Sequence, residues 1–202
     1  MPTLLGVGDE SWLPEPCRRA RSVVLLVIDG LGWEAIRSRP EQLPTLSSFA
    51  GGSISTVAPS TTAAALTSIT TGVAPAHHGL IGYRIRVDGS VLNALSWRFP
   101  DRAPPDPSSV QRVAPFRGQS VPVVTKYEFA RSGFTQAHLR GGPFWGWHTV
   151  STLIGECRRL SDLGSPLIYS YYPGVDEVAH QYGLESSFYE SELSFVDHMV
   201  KE

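Results

Sequence analysis

The segment Ser22-Val-Val-Leu-Leu-Val-Ile28 is an unbroken run of β-branched and leucine side chains, and Asp29-Gly30 closes it. A strand that is apolar on both faces must be covered on both faces, which is the pattern of a parallel sheet inside an α/β fold. Pro166 to Tyr172 repeats the pattern, and Pro173-Gly174 breaks it. Stretches with helical spacing separate and follow the two runs. The expected architecture is a layered α/β/α fold with a mostly parallel central sheet. With 202 residues and 42% hydrophobic side chains, the chain can bury a real core.

Other segments are read in the same way. Ser53 to Val57 alternates and predicts a strand. Thr62 to Thr71 is rich in Ala, with Leu66, Ile69 and Val73 on one helical face and Gly72 as the stop. Residues 83–98 alternate around Asp88-Gly89, a hairpin signal. Residues 100–122 contain six prolines and read as a long loop. Tyr127 to Ser132 predicts a short helix closed by Gly133, Phe134 to Leu139 a strand, and Gly141 to Trp147 a loop that could line a pocket. Thr149 to Leu160 predicts a helix. Ser187 to Glu202 predicts an amphipathic helix whose apolar face carries Phe188, Phe195, Val196, Met199 and Val200.

Charge excludes some classes. The net charge is -2, charged residues are 18%, and no long run of one sign occurs. Neither a nucleic-acid footprint nor a basic membrane arm is expected. Pro2, Asp9, Glu10 and Glu15 interrupt any signal-peptide pattern, and Val23 to Ile28 is far too short to span a bilayer. Cys17 and Cys157 match no metal or redox spacing and read as free thiols. A cytoplasmic location is the expectation.

Three constellations could carry chemistry. Asp29 ends a buried strand, where α/β sheets place their ligands, and a carboxylate there suits a hard or borderline cation. Taken alone, Asp-Gly is also an ordinary turn. Ala58-Pro59-Ser60-Thr61-Thr62 runs into a helix. A hydroxyl there is either a plain N-cap or faces free N–H groups that suit a phosphate. Asp176 and His180 lie four apart, so one helical turn puts them on the same face, a pairing that suits a transition metal. An unrelated surface acid and histidine would look the same.

Taken together, "VVLLVIDGLG", "APSTTAAALTSITTGVAPAHHGLIGY" and "YYPGVDEVAHQYG" resemble the alkaline phosphatase superfamily, in its type I phosphodiesterase / nucleotide pyrophosphatase branch. The resemblance runs from about Val23 to His180. It implies an alkaline-phosphatase-like fold, here apparently truncated at the C-terminus, with residues 1–21 as an arm and residues 22–202 as a partial catalytic domain. The hairpin and proline-rich stretch 83–122 would be an insertion. It implies two divalent cations, usually zinc, with Asp29 and Thr62 as ligands of one and Asp176 and His180 as ligands of the other. Thr62 would be the nucleophile, with Thr61 the near alternative, and the reaction would pass through a phospho-threonine. The substrate would be a small phosphate monoester or diester, or a nucleotide. His78-Gly79 matches a recurring signature of the family, and a structural role is the expectation for His78.

Two departures qualify this. Ala65 stands where the family's phosphodiesterases often carry an Asn that holds a phosphate oxygen. The later Asp-His pair and final His that complete the family's metal sites do not occur. Asp197-His198 lies inside an amphipathic helix and reads as helix surface. The alternative is therefore a truncated, catalytically incomplete domain that binds a ligand or partner without turnover. A sulfatase is disfavoured, because no Cys or Ser sits in a Cys/Ser-x-Pro-x-Arg context, and the flanking sequence gives a phosphomutase less support. His138, His148, Trp145 and Trp147 are weaker candidates, read as core or loop packing.

Overall fold

The computed structural model describes residues 2–6, 11 and 13–202. The arm expected over residues 1–21 lies partly outside the described residues. In chain order the helices are α1 (Glu15–Arg19), α2 (Trp33–Arg37), α3 (Pro44–Ser48), α4 (Thr62–Thr71) and α5 (Pro75–His78). They continue as α6 (Pro107–Val110), α7 (Gly133–Leu139), α8 (Val150–Asp162), α9 (Gly174–Tyr182) and α10 (Ser187–Lys201). The strands are β1 (Val23–Ile28), β2 (Arg84–Val87), β3 (Ser90–Asn93), β4 (Val123–Lys126), β5 (Phe144–Trp147) and β6 (Leu167–Tyr172). A parallel four-stranded sheet has the order β1-β6-β4-β5, and β2 and β3 form a separate antiparallel hairpin.

The chain divides into two compact units. One comprises residues 1–13, 55–123 and 127–146, the other residues 14–54, 124–126 and 147–202. In the second unit β1 and β6 pair in parallel from Val23↔Leu167 to Ile28↔Tyr172. Every residue of β6 is buried. Its even-numbered residues Ile168 and Tyr172 join Leu153 and Leu160 of α8 and Leu193, Val196 and Met199 of α10 in one core. Thr149 and Thr152 form a capping box at the start of α8, and the Ser186 hydroxyl accepts the Tyr189 N–H at the start of α10. In the first unit α4 buries Ala63, Ala64 and Leu66, and Leu80, Phe116 and Phe134 are buried with them.

Several expectations change. The β1 run does form a parallel strand, but it lies at the sheet's edge, half-buried, with Val24 40% exposed. Ser53 to Val57 forms no strand; Ile54 is 93% exposed, and without a ladder partner alternation alone stabilises nothing. Phe134 to Leu139 is helical, not extended. The Ser132 hydroxyl caps this helix by accepting the Thr135 N–H at 3.0 Å, and Phe134 stacks on His138 one turn later. Gly133 does not stop a helix but begins α7; a Cβ there would lie 2.1 Å from Cγ of Trp97. The expected loop at 141–147 contains β5. Phe188 and Phe195 are exposed, so the apolar face of α10 is narrower than its sequence suggests. Among the described residues no helix is long and apolar enough to cross a membrane.

Candidate active site

Asp29 follows directly on β1, at the carboxyl end of the strand. Its backbone N–H continues the ladder to the Tyr172 carbonyl at 2.9 Å. The carboxylate is held at both oxygens: Oδ1 accepts the Gly30 N–H at 3.1 Å, and Oδ2 accepts the Tyr171 hydroxyl at 2.7 Å. Burial, reinforced by the Asp29 charge and this hydrogen bond, raises the Tyr171 pKa, so the phenol stays a donor.

β6 ends beside Asp29, and α9 starts two residues later. The first turn of α9 carries Asp176, whose backbone N–H donates to the Asp29 carbonyl at 3.1 Å. This approach requires Gly30: its φ is +79°, and a Cβ would meet the Asp176 nitrogen and Cα at 2.6 Å. The main chains of two acidic residues are thus brought together, Asp29 at the end of β1 and Asp176 in the first turn of α9. Burial, then the charge of Asp29, pushes the Asp176 carboxyl above its ordinary pKa; His180 opposes the shift. His180 is largely exposed, with Nε2 3.6 Å from Oδ1 of Asp176. The one-turn spacing of Asp176 and His180 therefore does place them together.

A pair of acids whose charges oppose one another is a donor set that a divalent cation would relieve. The set is incomplete: among the described residues no group of three His, Cys, Asp or Glu is arranged to hold an ion. Asp197 does not supply the missing ligand. It is 3% exposed, not helix surface, and its carboxylate accepts the backbone N–H groups of Thr45 and Leu46 at 3.2 and 2.8 Å. His198 is exposed and bonded to the Ser194 carbonyl.

The threonines lie in the first unit, at the start of α4. Thr61 is the N-cap, its Oγ1 accepting the Ala64 N–H at 3.4 Å. Thr62 is the first helical residue, half-buried, and its hydroxyl makes no hydrogen bond among the described residues. The helix end therefore separates the two: one hydroxyl serves the backbone, and the other stands beside free N–H groups. His78 is buried against this helix.

The weaker candidates sort by burial. His138 is 3% exposed, bonded through Nδ1 to the Phe134 carbonyl, and Trp147 belongs to the core of the second unit. Trp145 and His148 are exposed. Sequence reasoning missed Tyr171. The signal available was its place near the end of a strand that could pair with the Asp29 strand.

The family model for type I phosphodiesterase / nucleotide pyrophosphatase matches residues 23–202. Among solved structures the chain is similar to murine ectonucleotide pyrophosphatase / phosphodiesterase 5, determined as an inactive threonine-to-alanine variant in complex with AMP. The TM-score is 0.65 at 14% identity, over 89% of this chain and 50% of that one, so this chain spans half the neighbour's length. No curated protein matches the sequence. On the match across nearly its whole length, the chain belongs to the type I phosphodiesterase / nucleotide pyrophosphatase family of the alkaline phosphatase superfamily.

Proposed function

We propose that the protein is a metal-dependent hydrolase of phosphodiester or phosphomonoester bonds, with nucleotides as a substrate class. The observation that carries this is the main-chain hydrogen bond that joins Asp176, in the first turn of α9 after β6, to Asp29 at the carboxyl end of the paired strand β1, in a chain of this family. The murine neighbour's complex with AMP supports the nucleotide class.

In this reading Asp29, Asp176 and His180 are ligands of divalent cations, zinc by family habit, and Thr62 is the nucleophile and a further ligand. The cations would supply charge neutralisation of the phosphate and a lowered pKa for the attacking hydroxyl. Tyr171 holds the Asp29 carboxylate in one orientation by hydrogen-bonding Oδ2. The Thr62 oxygen forms a bond to phosphorus as the bond to the leaving oxygen breaks, and water then cleaves the phospho-threonine.

The second reading, a domain that binds without turnover, is favoured by the absence of a three-residue metal group among the described residues. One experiment decides. With zinc present, the protein should hydrolyse bis-p-nitrophenyl phosphate or p-nitrophenyl phosphate, and Thr62→Ala should lower kcat by at least about a thousandfold. Turnover by Thr62→Ala at the wild-type rate removes Thr62 from the chemistry. No turnover by the wild type, with AMP still bound, supports the second reading.

A further inference from the structure

His78 ends α5, is 1% exposed, and uses both ring nitrogens. Nδ1 lies 3.2 Å from the Leu80 N–H and must accept it. The ring proton therefore sits on Nε2, which is 2.9 Å from Oγ of Ser68 on α4 and donates to it. The left-handed Gly79, at φ 83°, turns the chain so that Leu80 can reach back to the ring.

The first turn of α4 is Thr62-Ala63-Ala64-Ala65, and its two buried methyl groups, Ala63 and Ala64, make non-directional contacts only. The hydrogen bond from the buried ring to Ser68 adds a directional constraint to that packing.

We propose that His78 is a positioning residue, acting through Ser68 to fix the rotation of α4 and with it the direction of the Thr62 hydroxyl. The catalytic part of this claim rests on the reading of Thr62 as the nucleophile; the mechanical part does not. His78 touches no reacting atom. Its role is to limit the range of orientations from which Thr62 attacks, where a misplacement of about 1 Å costs on the order of a hundredfold in rate.

Asparagine and glutamine separate the two ring contacts. His78→Gln places a donor near Nε2 and keeps the bond to Ser68; His78→Asn places its amide near Nδ1 and loses it. Ser68→Ala removes the acceptor at a half-buried position and leaves the core intact. With bis-p-nitrophenyl phosphate, His78→Asn and Ser68→Ala should lower kcat about ten- to hundredfold with KM within about twofold, and His78→Gln should stay within about threefold of wild type. Equal losses in Asn and Gln variants, or wild-type kcat in all three once corrected for folded fraction, overturn the proposal.

Amide hydrogen exchange is read on the same variants. At matched global stability Ala64 and Ala65 should exchange at least about tenfold faster in His78→Asn and Ser68→Ala than in His78→Gln. Unchanged exchange overturns the proposal even where kcat falls. Thr62→Ala is assayed alongside: if it retains turnover, or if the wild type has none, the nucleophile reading fails and exchange alone decides whether His78 fixes the helix.

Discussion

At the residue scale, Gly30 has the sharpest constraint. It combines φ +79° with backbone contact at 2.6 Å to Asp176. An alanine there pays twice, with about 1–2 kcal/mol for the left-handed backbone and a further 1–3 kcal/mol for the overlap with main-chain atoms that no rotamer relieves. Gly30→Ala should lose about 3 kcal/mol of stability, read as a lower urea midpoint with unchanged m-value. Tyr171→Phe isolates a different contribution. It deletes the donor to Oδ2 of Asp29 without changing the packed ring. About 1 kcal/mol is expected in the same urea titration, because the carboxylate is half-buried and water replaces the phenol. A loss above about 3 kcal/mol would show that the hydroxyl does more than orient Asp29.

At the element scale, Asp197 shows how one carboxylate joins two helices. The α3 sequence, Pro44-Thr-Leu-Ser-Ser48, carries no capping side chain of its own, and Leu43 precedes it. The missing cap comes from α10, where Asp197 accepts two of the free N–H groups. Asp197→Ala should cost about 2 kcal/mol, and Asp197→Asn, which keeps one acceptor oxygen, about half of that. Thermal unfolding of the pair checks it; equal midpoints for Asn and Ala would rule out the cap. Such a partner is invisible to local sequence reading, since 151 positions separate Asp197 from Leu46. What was legible followed local rules. β1, β6, the Asp88-Gly89 hairpin and α4 with its Gly72 stop are where the patterns put them. Phe134 to Leu139 was not, because six residues carry too little periodicity to separate strand from helix, and the Ser132 cap decides it. The Asp176–His180 pair was legible from spacing alone, whereas the Asp29–Asp176 approach depends on strand pairing that no spacing encodes.

At the scale of the whole molecule, the two units should respond differently to acid. His78 and His138 are both buried in the first unit, and burial lowers the pKa of each; that of His138 falls to about 4. The unfolded chain holds such a histidine at its ordinary value of about 6.5, so between pH 6.5 and 4 it binds more protons unfolded than folded. Stability from His138 is therefore complete above about pH 6.5 and is lost as pH falls towards 4, where the loss reaches about 3 kcal/mol. His78 adds to the loss in the same direction. In the second unit the raised carboxyl of Asp176 works the opposite way, since its folded form takes up a proton more readily than its unfolded one. Urea midpoints from pH 7.5 to 4.5, followed by amide exchange to resolve each unit, should show the first unit weakening first. His138→Phe should remove most of that pH dependence, although it also deletes the bond to the Phe134 carbonyl and lowers stability at every pH. A first unit whose stability is flat over this range would mean that His138 is not held neutral by burial.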